Sequence, residues 1–326
     1  MNTKNMLEQA AFAALLVGGV AMANANAGQV ITSGDGVQVG VFDYGSIGDL
    51  GRGIYAPFAT GGSPTGDAIL PGCLCEGWGA AGNGVSGNVY AGSPSGVGLD
   101  STASTATTFT STTHLNSLPS LQISQEYSPS AGSSALIIDK VTLTNTGAST
   151  IADVRYARNM DWDIPPTNFS EFVTIQGWPA TALLNSSDDG FSSSDPLSPA
   201  GSICSGAPVN ANFTEVGPCD HGAWFGFGFG SLAAGDSVSF NIFYGAAPTK
   251  ADAMTVLGNI GAEVYSLGYS TLFATGAPNY DSATFIFAFN GVGGTPVPPT
   301  PTPEPTTLAL MGLGLAGLAA RHRRKV

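Results

Sequence analysis

Val238-Ser239-Phe240-Asn241-Ile242-Phe243-Tyr244 places Val238, Phe240, Ile242 and Tyr244 at alternate positions, with Ser239 and Asn241 between them. Successive side chains of a strand point to opposite faces, so this period of two predicts a strand with one buried face. Ile137, Val141 and Leu143 alternate in the same way with Ile138, Lys140 and Thr142, and Leu121, Ile123 and Tyr127 recur near that period. Phe285, Phe287 and Phe289 carry it to a last strand ending at Asn290-Gly291. Turn residues separate these runs, notably Asn145-Thr146-Gly147 and Ala234-Gly235-Asp236. Before Thr113 only short apolar runs remain, Val37 to Phe42 and Gly87 to Tyr90, cut by Gly- and Pro-rich loops. The expected fold is mainly β, a large β-sandwich enlarged toward a supersandwich.

One segment breaks the period. Thr249 and Asp252 have the spacing of a capping box, and Ala253, Met254, Leu257, Ile260 and Val264 then recur at helical intervals. This predicts one short helix from about Lys250 to Tyr265, covering a sheet face or edge.

Charged residues make up 10% of the chain, against roughly 25% in an ordinary soluble domain, and glycine is abundant at 45 of 326 residues. Removing Lys4, Arg321, Arg323, Arg324 and Lys325 from ten basic residues, and Glu8 and Glu304 from 23 acidic ones, leaves five against 21. A body carrying about −16 repels nucleic acid and anionic lipid, which excludes nucleic acid as a partner, and it favours divalent cations.

The two ends read as export signals. Lys4, an apolar run from Ala10 to Val20, and small residues Ala25 and Ala27 predict a signal peptide over 1–27, including its helix, cut by signal peptidase after Ala27. At the other end Pro303-Glu304-Pro305 precedes an uncharged run from Thr306 to Ala320 and a basic stop of Arg321, Arg323, Arg324 and Lys325. Such a segment is held with its basic end in the cytoplasm, so the chain before it lies across the inner membrane. Fifteen helical residues span only about 22 Å of a roughly 30 Å hydrocarbon core, which suits a temporary anchor. The expected organisation is signal peptide 1–27, exported body 28–294, a Pro/Thr-rich spacer 295–302 that holds the body clear of the membrane, and a tail 303–326 with its transmembrane helix at 306–320.

This tail resembles the PEP-CTERM sorting signal of Gram-negative bacteria. The resemblance implies recognition by an exosortase, with Pro303, Glu304 and Pro305 as substrate residues, and transfer of the body to the cell surface or an exopolysaccharide matrix. Within the body, Val141-Thr142-Leu143-Thr144-Asn145-Thr146-Gly147 leads to Asp153-Val154-Arg155-Tyr156-Ala157-Arg158-Asn159-Met160-Asp161-Trp162-Asp163. That stretch is similar to β-sandwich regions of secreted bacterial proteins, including mutarotase-like and polysaccharide-acting ones, which implies a fold but supplies no catalytic motif.

Four cysteines in an exported body are expected to form disulfides. Three pairings exist among Cys73, Cys75, Cys204 and Cys219. Cys204 with Cys219 is favoured, because it closes a short loop rich in Gly and Pro; Cys73 and Cys75 then pair locally, or else each pairs with one of the distant two. Their spacing does not fit a zinc site, so no metal centre and no cofactor beyond a structural calcium ion is expected.

Asp161-Trp162-Asp163 puts two carboxylates on one side of an extended chain, a set that can chelate calcium or accept sugar hydroxyls, with Trp162 or Trp178 stacking on a ring. The competing reading pairs Arg155 and Arg158 with these carboxylates to fix a strand end. Asp188 and Asp189 belong to an oxygen-rich loop that offers a second calcium site but, lacking the EF-hand pattern, reads more readily as a solvated acidic loop. His114 and His221 sit in no nucleophile motif, and no catalytic residues are assigned. The expected function is a surface or matrix protein whose body is structural or binds extracellular polysaccharide; the alternative is a secreted carbohydrate-active enzyme.

Overall fold

Seventeen strands and one α-helix form the body in a computed structural model that describes residues 28–62 and 64–300. The signal peptide with its Ala25 and Ala27, the Pro303-Glu304-Pro305 tripeptide, the 306–320 segment and the basic stop lie outside the described residues. No helix among the described residues is long and apolar enough to cross a membrane.

A hairpin of β1 (Gln29–Thr32) and β2 (Gln38–Val41) opens the body. There follow β3 (Glu76–Gly82), β4 (Val85–Tyr90), β5 (Ser93–Ser95), β6 (Val97–Ser104), β7 (Phe109–Leu115), β8 (Leu118–Pro129) and β9 (Leu136–Asn145). Next come β10 (Arg155–Trp162), β11 (Glu171–Gln176), β12 (Leu183–Ser187), β13 (Phe213–Cys219), β14 (His221–Gly228) and β15 (Ser237–Ala247). Helix α1 (Lys250–Ile260), β16 (Val264–Tyr269) and β17 (Thr284–Asn290) complete it. The strands assemble into a six-stranded sheet, β12-β14-β10-β3-β4-β5, and a nine-stranded sheet, β13-β11-β16-β17-β15-β9-β8-β7-β6, with every pairing antiparallel.

The period of two explains how the layers close. Phe240, Ile242 and Tyr244 of β15 and Phe285, Phe287 and Phe289 of β17 face Tyr156, Phe225 and Phe227 of the smaller sheet in one core. The intervening Phe243, Ile286 and Ala288 face the other way and are covered by Ala253, Leu257 and Ile260 of α1. Central strands of the larger sheet are thus apolar on both faces because the helix removes one face from water.

Helix α1 begins as its sequence indicates: the Thr249 side chain accepts the Asp252 amide at 3.2 Å. It ends earlier than the apolar spacing suggests. Gly261 takes a left-handed conformation (φ 59°, ψ 46°) that terminates the helix at Ile260, and Val264 and Tyr265 belong to β16. The Leu257-to-Val264 interval continues the helical period only by coincidence with the inward face of the next strand. The Pro-rich stretch also departs from expectation. Val297 donates its amide to the Ala262 carbonyl at 2.8 Å and packs into the apolar cluster beneath α1, so residues up to 300 run along the body and do not stand off from it.

Candidate functional site

Strand β10 carries two different polar sites on its two faces. Its inward side chains include Arg158, fully buried between the sheets, whose Nε donates to Glu76 Oε1 at 2.5 Å and whose Nη1 donates to Gln125 Oε1 at 2.7 Å. Nη2 donates to Tyr127 Oη at 3.1 Å, and the guanidinium lies 5.4 Å from the centre of the Tyr244 ring. Burial opposes the charge, but the Glu76 carboxylate and the surrounding tyrosines more than offset it, and the guanidinium holds its proton more tightly than in water. Asp139 faces the same group at 3.7 Å, too far for a hydrogen bond. Burial pushes its carboxyl up to about 7, with the Arg158 charge working in the opposite direction.

The reading that pairs Arg155 and Arg158 with Asp161 and Asp163 is corrected here. Arg155 pairs with Asp153 at 2.9 Å, and Arg158 is separated from both acids by the sheet itself, because positions of unlike parity point to opposite faces.

On the outward face Asp161 lies opposite Gly222 of β14, and the next, inward-facing pair is Trp162 with His221. Continuing that register sets Asp163 opposite Asp220, the corner residue where the chain passes from β13 of the larger sheet to β14 of the smaller. One carboxylate oxygen from each of Asp161, Asp163 and Asp220 lies within 4.8 Å of the others. Glycine makes the approach possible: a Cβ on Gly222 would sit 2.0 Å from the Met160 carbonyl oxygen, and one on Gly190 would sit 2.4 Å from it. Asp220 is exposed, whereas Asp161 and Asp163 are buried.

These buried carboxylates are poorly satisfied. Neither oxygen of Asp163 has a hydrogen-bond partner, nor has Asp161 Oδ1. Asp161 Oδ2 has Cys73 Sγ at 3.9 Å, but that sulfur is bonded to Cys75 and carries no proton to donate. Burial, followed by the charge of Asp220, pushes Asp161 up to about 8; burial and the charges of Asp161 and Asp220 push Asp163 up to about 9. Glu171, at the start of β11, accepts amides from His221 and Ser170, yet burial raises it to about 10.

The remaining sequence-derived residues go elsewhere. Trp162 is fully buried between the sheets and donates Nε1 to Ser266 Oγ at 3.0 Å, so it stacks on no ligand. Asp188 is also buried, not solvated: it accepts from His221 Nδ1 at 3.0 Å and from the amides of Ile203 and Cys204, and these donors outweigh burial to hold it below the usual carboxylate range. Asp189 accepts the amides of Phe191 and Ser192 and closes a turn. Trp178 is half-buried in an open groove of about 370 Å³ with Gln176, Asn212, Glu263 and Tyr265. It lies just past the Gln176 end of β11, while Glu171 beside the acids marks the other end, about 17 Å away along the strand.

Cysteine pairs form between Cys204 and Cys219 and between Cys73 and Cys75, with Cα separations of 6.0 Å and 5.2 Å, and no cysteine is free. Sequence reasoning missed Asp220. Its proximity to Cys219 and His221 was visible, but its place opposite Asp163 depends on strand register.

Comparison with curated proteins finds no match for the chain. Residues 301–325 match the family model described as the PEP-CTERM protein-sorting motif, so the chain carries a PEP-CTERM sorting signal, which implies export and processing by an exosortase.

Proposed function

We propose that the protein acts at the cell surface or in an exopolysaccharide matrix, with its sandwich as a structural, glycan-binding body. The observation that carries this reading is the sorting motif at 301–325, directly after a β-rich body held by two disulfides. Disulfides persist outside the reducing cytoplasm, which agrees with that destination.

The groove beside Trp178 supports the choice of a glycan. Asn212 clamps the Trp178 backbone from both sides, accepting its amide at 2.8 Å and donating to its carbonyl at 2.9 Å. An indole held in an open groove beside an amide and a carboxylate offers a sugar both a stacking face and hydrogen-bond partners. A carbohydrate-active enzyme is the less favoured reading. Glycoside hydrolysis needs paired carboxylates whose environments drive their proton affinities apart, and here burial and repulsion push Asp161 and Asp163 the same way, far from Trp178.

The test uses an antibody to the body and cell fractionation. Glu304→Gln and Pro305→Ala are expected to leave full-length protein in the inner membrane, while Trp178→Ala is sorted normally but co-sediments less with the cell's own polysaccharide. Release of both tail variants at the wild-type rate would defeat the sorting role of the tripeptide, and undiminished sedimentation of Trp178→Ala would defeat the glycan site.

A further inference from the structure

The geometry points to a divalent-cation site, for calcium, formed by Asp161, Asp163 and Asp220 at the outer end of β10. Two oxygens that touch one calcium ion at about 2.4 Å can be no more than about 4.8 Å apart. The three carboxylates meet that limit pairwise, the condition that one ion contacting all of them requires. A second observation points to the same ligand independently. Both oxygens of fully buried Asp163 and one of Asp161 have no donor, an expensive condition for buried carboxylates in a settled fold.

Among the described residues no salt bridge reaches them. Among the described residues the ion pairs of Arg155, Arg158 and Lys250 go to Asp153, to Glu76 with Asp139, and to Glu215. The donor set is all oxygen. The nearest sulfurs are locked in a disulfide, and no histidine nitrogen belongs to the group of atoms within 4.8 Å of one another, so a hard cation is favoured over zinc or copper. Calcium suits three convergent carboxylates with remaining positions filled by water, whereas magnesium demands a tighter octahedron. Exposed Asp220 leaves the site an entrance.

Bound there, the ion joins the end of β10 to the corner between β13 and β14, and so fastens one sheet to the other beside the Cys204–Cys219 bridge. The inference stands apart from the sorting and glycan readings, since it concerns only these residues.

The experiment takes the purified full-length chain, treated with EGTA, and measures thermal unfolding and calorimetric binding as CaCl2 is added from about 0.1 to 10 mM, the range of extracellular calcium modules. One site per chain is expected, with a rise of several degrees in Tm and a smaller rise with MgCl2. Asp163→Asn should abolish the calcium response. Asp220→Asn, on the exposed rim, should fold as wild type in EGTA and bind calcium about tenfold more weakly or worse. The proposal is overturned if wild type shows no calcium response, if NaCl at matched ionic strength or MgCl2 gives the same rise, or if Asp220→Asn binds calcium as tightly as wild type.

Discussion

Asp139 shows how one buried side chain can set the pH response of the body. Its carboxyl is fully buried with no hydrogen-bond partner on either oxygen, and its one nearby cation, Arg158, is engaged with Glu76. In the folded protein it keeps its proton up to about pH 7, whereas an unfolded chain releases it near the ordinary carboxylate value of about 3.9. The folded state therefore binds more protons across that window, and the stability this group contributes at low pH is lost as pH rises from about 4 to 7. Asp139→Asn cannot ionise. Urea unfolding should show the variant close to wild type at pH 4 and gaining on it by pH 8; an unchanged difference between the two pH values would contradict this. The raised carboxyls outside this cluster, Asp43, Asp67, Asp161, Asp163, Glu171 and Asp220, are common to both proteins and cancel in the comparison.

Helix α1 illustrates how far local signals reach at the scale of an element. Its start was legible because a cap is a contact between near neighbours: Thr249 and Asp252 need only their spacing in sequence. Thr249→Ala should lower stability by about 1 kcal/mol, and Thr249→Ser should retain most of it, since the hydroxyl survives. Denaturant midpoints measure both, and a Ser variant as weak as the Ala variant would remove the capping explanation. The end of the helix was less legible. Leu257, Ile260 and Val264 share a periodicity that a helix and a following strand can both satisfy, and only the left-handed turn at Gly261 separates them. Strand β3 was hidden for another reason. Its Gly77, Gly79 and the alanines beside them carry little hydrophobic signal, because they pack where backbone comes too close for larger side chains.

Across the whole molecule, the Cys204–Cys219 bridge links the end of β13 in the larger sheet to the loop after β12 in the smaller one. Replacing both cysteines with alanine should cost about 3 kcal/mol, the denatured-state freedom of a loop of that length. Denatured but unreduced wild type should take up no thiol reagent, and stoichiometric labelling would show the pairs are not formed. The sorting tail, the β class, the covering helix and the acid pair Asp161 and Asp163 were all determined by the sequence itself, because each rests on spacing between neighbours along the chain. Tertiary structure alone decided which acids converge and which tryptophan stays accessible. Asp220 reaches Asp163 through antiparallel register across a separation of 57 in the sequence, and Trp162 turns inward because its position on β10 faces the opposite sheet, while Trp178, in the turn after β11, faces a groove. Register and layer order arise from burying both sheets against each other, a condition on the whole chain that no local spacing carries.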